Sequence, residues 1–412
     1  MSKDIVTKDH GNLRARDVER CSRARISLYR SCAVLAASAA LFIGPLAGGA
    51  ARSEEFKIGY ALSLTGPNAV IGKITLAGAQ AGIEMINSTG GIGGMKAVLV
   101  ICDVQSVEQQ AVICARKLAL QDKVSIVLGT GSTPQTLAII PTLAAAGVPL
   151  FSIASGLSTY SPVKKWVFKG ISGQADTIPP EVDYLKSKNM RRVAMIHDNG
   201  PLGSDISTIF KDKIAGSGIE IVDTQVYSPT DTDVTAQVTH MRSTNPDAVL
   251  NIAITPPAGA LIVKTMLQLG MEQPNFVGQN LQSESFAKLA GDAARTVIFP
   301  ASKVVVEELP KDDPLYANVA AFRAQFVKLN PEVKPSSLSP WLVDAMILAQ
   351  KAAAPLGAKA LDNGALRDAL EGLKKVPGIQ GIWTFGPDQH GSDLRDGIIL
   401  VKYDGQSWVP VH

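Results

Sequence analysis

The sequence predicts an α/β protein made of two lobes, each a doubly wound parallel sheet. Three observations carry this. Short apolar runs rich in β-branched residues alternate with amphipathic helical runs from residue 56 onward. The rhythm breaks near residues 170–178 and restarts. The strand-like runs are apolar throughout rather than alternating, as strands covered on both faces require. The chain has 412 residues with an apolar fraction of 46% and a charged fraction of 19%, which suits sizeable cores and excludes a disordered chain.

The elements follow in order. Residues 1–51 read as a secretory leader. A basic stretch (Arg14, Arg16, Arg20, Arg23, Arg25, Arg30) precedes an apolar run from Ala33 to Ala47, and small residues at Gly48, Gly49, Ala50 and Ala51 suit cleavage. A membrane anchor is the alternative, although the run is short and Gly44-Pro45 interrupts it. No later stretch reads as a span, so an exported, soluble protein is expected. Strands are expected at Phe56–Leu62, Ala97–Cys102, Val124–Leu128 and Val148–Ile153, with helices over 74–86, 107–120 and 134–146 between them. In the second lobe strands are expected at Arg192–His197, Glu220–Tyr227, Ala248–Ile254 and Phe276–Gly278. Helices are expected over 181–187, 204–215, 234–242 and 258–269. Helices at 316–329 and 341–354 follow, then strands Ile382–Phe385 and Ile398–Tyr403 joined by a hairpin loop over 386–397.

Charge and composition exclude several function classes. Residues 1–51 hold eight Lys/Arg and four Asp/Glu, which leaves 32 basic against 33 acidic residues in the rest. That body is electrostatically neutral, and aromatic residues make up only 5% of the chain, so no nucleic acid partner is expected. No phosphate loop, dinucleotide fingerprint, nucleophile elbow or His/Cys metal cluster is present in the sequence, and no cofactor or metal is expected. Ser132 as a nucleophile and His197-Asp198 as an acid–base pair are the only catalytic candidates, and neither has a partner the sequence places beside it. Cys102 and Cys114 fall near a strand end and on the next helix; a disulfide and two buried thiols both suit that placement.

Open α/β sheets bind ligands at the carboxyl ends of their strands, so two lobes predict a cleft between them. The loop Gly129-Thr130-Gly131-Ser132-Thr133-Pro134 runs from a strand into a helix, with Thr133 suited to the N-cap and Pro134 to the first helical position. Such a helix start suits a carboxylate. Ala154-Ser155-Gly156, after the next strand, offers backbone N–H groups to the same anion.

These loops sit among further marks in register. They include Leu64-Thr65-Gly66-Pro67 with Gly72, Gly78-Ala79, Gly90-Gly91-Ile92-Gly93-Gly94, Asp103 and Gly147-Val148-Pro149 in the first lobe. In the second lobe they include His197-Asp198 to Gly203 and Asn245-Pro246-Asp247-Ala248. Over residues 55–412 this pattern resembles the periplasmic substrate-binding proteins of branched-chain amino acid ABC transporters. The resemblance implies a type I periplasmic binding fold with three hinge crossovers. The first lobe is then 52–175 plus 301–380 and the second 176–300 plus 381–412. It implies carboxylate binding by Ser132, Thr133, Ala154, Ser155 and Gly156, a membrane permease as partner, and a monomer in the periplasm.

Four positions depart from the family pattern. Ile71 and Leu202 stand where tyrosines are common, Ile254 begins a strand end that lacks one, and Gln279-Asn280 replace an acid that takes a ligand's α-ammonium. An ammonium buried without a carboxylate is costly, so the departures favour an acid with an apolar or aromatic body over an ordinary amino acid. If the register is off by a residue or two, Glu284 supplies the acid instead. A sensor presenting its bound state to a signalling partner and an exported Ser132 hydrolase are the alternative functions.

Overall fold

The computed structural model describes residues 54–411. The expected leader, with its cleavage site, lies outside the described residues.

The first sheet is formed by β1 (Glu55–Leu62), β2 (Lys96–Asp103), β3 (Ile126–Gly129), β4 (Leu150–Ser152) and β5 (Val167–Lys169). All pair in parallel, in the order β2-β1-β3-β4-β5. Helix α1 (Ala69–Ser88) covers one face. α2 (Glu108–Arg116) and α3 (Thr133–Ala146) cover the other. Phe56, Ile58, Tyr60 and Leu62 alternate along β1 into the α1 core, while Ala61 and Val127 face α2 and α3. By length and composition α1 qualifies as a membrane span, contrary to the sequence expectation. It packs instead into the first core through Ala79, Ala81, Met85 and Ile86.

The chain then crosses over. α4 (Gln174–Ser187), β6 (Arg192–Asp198), α5 (Pro201–Ile214), β7 (Glu220–Tyr227), α6 (Thr235–Ser243) and β8 (Ala248–Ile252) open the second lobe. α7 (Pro256–Gln268), β9 (Asn275–Val277), α8 (Glu284–Ala290) and β10 (Val297–Ser302) complete its parallel part. The parallel strands repeat the first lobe's order, as β7-β6-β8-β9-β10. After β10 the chain returns to the first core with α9 (Tyr316–Leu329), α10 (Val343–Ala353), α11 (Asn363–Glu371), β11 (Val376–Pro377) and β12 (Ile382–Trp383). It ends in the second sheet with β13 (Ile398–Tyr403), antiparallel to β10, and β14 (Trp408–Pro410).

Two expectations for the end of the chain change. β12 pairs with β11 and not with β13, so 386–397 is a crossover rather than a hairpin loop. The second lobe therefore resumes near Ile398, not at 381: Trp383, Phe385 and Leu394 are buried in the first core. The hairpin that does exist joins β13 to β14 through Asp404, whose carboxylate accepts from the Gln406 and Ser407 N–H groups. Apolar runs locate strands, but pairing depends on what else competes for the edge.

β5 leaves the first sheet, and β10 the second, at their carboxyl ends, and β13 starts beside the end of β10, where Ile398 faces Ser302. The three crossovers therefore lie where both sets of strand ends meet.

Candidate functional site

Strand order reverses direction between β1 and β3 in one lobe and between β6 and β8 in the other. Loops leaving such a pair diverge to opposite faces and open a crevice, the place where doubly wound sheets bind ligands. The expected site residues after β1, β3, β6 and β8 fall at these two switch points, and the Ala154–Gly156 and Gln279–Asn280 loops follow the next strands, β4 and β9.

In the first lobe the β3 loop is tightly built. Thr130 and Thr136 hydroxyls bond at 2.9 Å, both buried, and both also reach the Ser132 carbonyl. The N-cap of α3 is Ser132, not Thr133. Its backbone is extended, and its Oγ accepts from the Gln135 N–H at 3.5 Å. Thr133 is thus the first helical residue and Pro134 the second. Proline has no N–H to lose at a helix start, so the sequence suited either placement. The first turn of α3 keeps leading N–H groups that the helix itself does not pair, with the positive end of its dipole.

The β4 loop packs directly on this turn. A Cβ on Gly156 would stand 2.4 Å from Thr133 Oγ1, so only glycine allows the approach. Ala154 is buried and Ser155 half-buried; the Ala154 N–H leans on Ser152 Oγ at 3.4 Å. Ser132, Thr133, Ala154, Ser155 and Gly156 are therefore brought together. Ile71, half-buried in the first turn of α1, borders the same core. Next to it a Cβ on Gly72 would stand 1.8 Å from the Ser63 carbonyl oxygen, which locks α1 against the β1 loop. Asp103 holds that loop by accepting from Leu64 N, Thr65 Oγ1 and Gln105 N. Burial pushes the Asp103 carboxyl up, but the hydrogen bonds from Thr65, Gln105 and Leu64 outweigh it and hold it below the usual range. Cys102 and Cys114 are bridged, which ties β2 to α2 just behind Asp103.

The second lobe contributes differently. Ile254 is half-buried at the β8 end, and its carbonyl accepts from Asn280 Nδ2 at 3.4 Å. Leu202 lies in the first turn of α5, and its side chain is outside the described residues. Gln279 is buried, with its Oε1 accepting from Ser172 Oγ at 3.0 Å in the first crossover. Glu284, the alternative acid, is exposed on α8. The catalytic candidates find no dyad. His197 Nδ1 meets the Asp198 carbonyl, not a carboxylate, and Ser132 Oγ serves the helix cap.

Sequence reasoning missed the junction itself. Lys169 and Asp176 form a buried ion pair at 2.6 Å across the first crossover. Lys169 also donates to the Ser392 carbonyl, and Asp176 accepts from the Gly173 and Leu394 N–H groups. Gln380 accepts from Ser172 N and donates to the Gly170 carbonyl. Asp344 beneath it accepts from Ile379 N, Gln380 N and Trp383 Nε1; burial pushes its carboxyl up to about 6 despite those bonds. The partners of Lys169, Asp176 and Gln380 across the junction are more than 200 residues away in sequence, so no local signal announces them. Among the described residues no group of three or more His, Cys, Asp or Glu is placed to hold a metal.

A surface cavity of about 640 Å³ lies elsewhere. Gly90–Gly94, Asn318, Gln350 and Lys351 line it, at the far end of α1 from the strand ends. That cavity lies away from the switch points, where doubly wound sheets open their crevices.

Two like-ordered lobes, joined by three crossovers at their strand ends, define a two-lobed solute-binding protein. The family described as Periplasmic binding protein matches residues 55–405, and the chain belongs to it. Among curated proteins, Leu/Ile/Val-binding protein BraC3 of Rhizobium johnstonii is 26% identical over 89% of this chain and 95% of its own length. Leu/Ile/Val-binding protein homolog 3 of Brucella melitensis is 27% identical over 68% of this chain and 76% of its own. Among solved structures, an extracellular ligand-binding receptor from Rhodopseudomonas palustris HaA2 superposes with a TM-score of 0.76 at 24% identity, covering 87% of this chain and all of that one. The isoleucine complex of the substrate-binding protein LivJ from Streptococcus pneumoniae superposes at 0.72, also at 24% identity, over 87% of this chain and all of that one. These likenesses establish the shared fold.

Proposed function

We propose that this protein is the periplasmic solute-binding subunit of an ABC importer. It captures a small carboxylate between its lobes and delivers it to a membrane permease. The observation that carries the reading is the capped start of α3 packed against the β4 loop at the first switch point, facing a junction that both lobes share. The first lobe takes the ligand's carboxylate on the α3 N-terminus and Ser132. The second closes over the ligand's body through the β6, β8 and β9 loops. Closure is a two-state equilibrium that the ligand biases by contacting both lobes. Capture rather than catalysis fits His197 and Ser132, whose partners are backbone groups.

Relatives named for leucine, isoleucine and valine make those amino acids the first comparison. The second lobe tells against them. Gln279 and Asn280 bring no charge, and Glu284 is exposed on α8, so the turn after β9, where the family pattern places the acid, offers an α-ammonium none. We therefore favour a deaminated or aromatic acid, bound by a monomer. The test is a thermal-shift screen of the protein, unfolded and refolded to strip bound solute, against branched-chain amino acids, their deaminated acids and aromatic carboxylates. A ligand that binds only the native state raises the midpoint by mass action. A rise with an acid, reduced in Ser132→Ala, supports the reading. Turnover of a bound ester abolished in Ser132→Ala would replace it with hydrolysis.

A further inference from the structure

The turn after β9 carries two glutamines that bridge the lobes, each by its oxygen. Gln282 is fully buried, and its Oε1 accepts from the Ser337 backbone N–H at 2.9 Å. That partner can only donate, so the amide orientation is fixed and Nε2 must point the other way. Nε2 is buried and meets no acceptor. Gln279 also reaches across by its amide, with Oε1 on Ser172 Oγ and Nε2 buried without a partner, but a hydroxyl both donates and accepts, so Gln282 alone has its amide direction fixed by its partner. Ser337 belongs to the segment leading into α10. Its Oγ in turn accepts from Ser302 N at the end of β10. The same segment carries Trp341, 7% exposed, whose indole nitrogen can only donate and is also unpartnered.

Three buried N–H donors thus lie on the two segments that meet at the strand ends, and the oxygens of both glutamines are already committed. Buried donors left unpaired cost stability, so a state that pairs them is favoured. What pairs them must bring oxygen lone pairs. At these three nitrogens an ammonium would meet only other donors.

We propose that Gln279, Gln282 and Trp341 recognise an oxygen acceptor on the ligand, so that the solute is a carboxylic acid carrying a second oxygen function (oxo, hydroxy or second carboxylate) and not an α-amino acid. This rests on the small-carboxylate reading above and narrows it.

Titration calorimetry on the full protein tests it with four probes. 4-Methyl-2-oxopentanoate, 4-methylpentanoate and L-leucine share one carbon skeleton and place an acceptor, hydrogen or an ammonium beside the carboxylate. Glutarate places the acceptor at the far end. The expected result is that the oxo acid or glutarate binds at least 10-fold tighter than both 4-methylpentanoate and leucine. Gln282→Glu keeps the Ser337 contact and turns the free donor into an acceptor. It is expected to weaken the preferred probe at least 10-fold and to shift preference toward leucine. Trp341→Phe removes one N–H and is expected to weaken the preferred probe several-fold while leaving 4-methylpentanoate unchanged. If leucine or 4-methylpentanoate binds the unmodified protein as tightly as the oxygenated probes, or if Gln282→Glu changes nothing, ordered water fills the junction and the inference falls while carboxylate capture stands. If none of the four binds, the small-carboxylate reading falls and takes the inference with it.

Discussion

The two halves of the site follow opposite building rules. The first-lobe half is closed on itself. Thr130 pairs with Thr136, Ser132 caps α3, Gly156 lies on Thr133, and the Cys102–Cys114 bridge and Asp103 brace the β1 and β2 ends. Apart from Gln135 Oε1 in the first turn of α3, which is buried without a partner, the buried polar side chains of this half are already bonded, and what it offers is a fixed helix start. The second-lobe half holds bonds in reserve. Gln279 and Gln282 use their oxygens to reach across the junction and leave their nitrogens unpaired, and Asp198 Oδ2 and the Tyr227 hydroxyl are buried without partners as well. A rigid half suits the part common to many ligands, the carboxylate. A half with unmade bonds suits selection, because a wrong ligand leaves buried polar groups unpaired.

The junction shared by both halves should give the largest effect. Asp176→Ala leaves Lys169 buried without its partner, and denaturant unfolding is expected to show a loss of about 3–5 kcal/mol. A loss under about 1 kcal/mol would mean the ion pair is solvated in solution, and the halves would no longer count as joined through a dry hinge.

A pH series probes the second lobe. Glu181 on α4 is buried and its Oε2 is unpartnered; burial pushes its carboxyl up to about 8. The folded state therefore keeps a proton that the unfolded chain gives up near the ordinary glutamate value. The stability it contributes is fully present below that ordinary value and is lost as pH rises through about 8. Glu181→Gln is expected to match the original protein at about pH 4 and to exceed it by about 3 kcal/mol at about pH 7, each tenfold difference in proton affinity being worth roughly 1.4 kcal/mol. A pH-independent difference between the two proteins would show that the acid has a partner or water.

For the first lobe, reducing the Cys102–Cys114 bridge opens a loop of sequence separation 12 and should cost about 2–3 kcal/mol. Ligand affinity measured under reducing conditions should fall with it, because Asp103 adjoins Cys102. An affinity untouched by reduction would show that the disulfide braces the lobe but not the site. The smallest expected effect is Ser132→Ala, about 1 kcal/mol of stability for a lost N-cap. Its ligand affinity should fall by about 10-fold, a tenfold change being about 1.4 kcal/mol. Unchanged affinity would shift carboxylate binding to the Ala154–Gly156 loop.

Much of the architecture was legible in the sequence because it rests on local periodicity. The strand at Glu220–Tyr227 and the helix at Tyr316–Leu329 fall where their patterns end, and most other boundaries shift by a few residues. Shorter elements escaped. β5 and β11 have three and two residues, too few for a period, and the helix expected over 181–187 extends back to Gln174 through Pro179 and Pro180. The first-lobe part of the proposed site could be named from sequence because Ser132 and Gly156 sit in successive strand-end loops, and the structure packs Gly156 on Thr133. The second-lobe side could not, because Gln282 and Trp341 have no pattern that distinguishes them from ordinary polar and core residues.

By itself, then, the sequence determined the alternation of strands and helices, the two lobes and a capped helix start within 132–134, with the cap placed one residue late at Thr133, because each depends on residues within a few positions of one another. Only the tertiary structure decided that Ile382–Trp383 pairs with Val376–Pro377, that Lys169 finds Asp176 and Ser392, and that Gln282 spends its oxygen on Ser337 and keeps its nitrogen free. Those outcomes turn on which distant groups meet when the two cores close, and hydrogen-bond geometry at a crossover selects among partners that composition treats as equal.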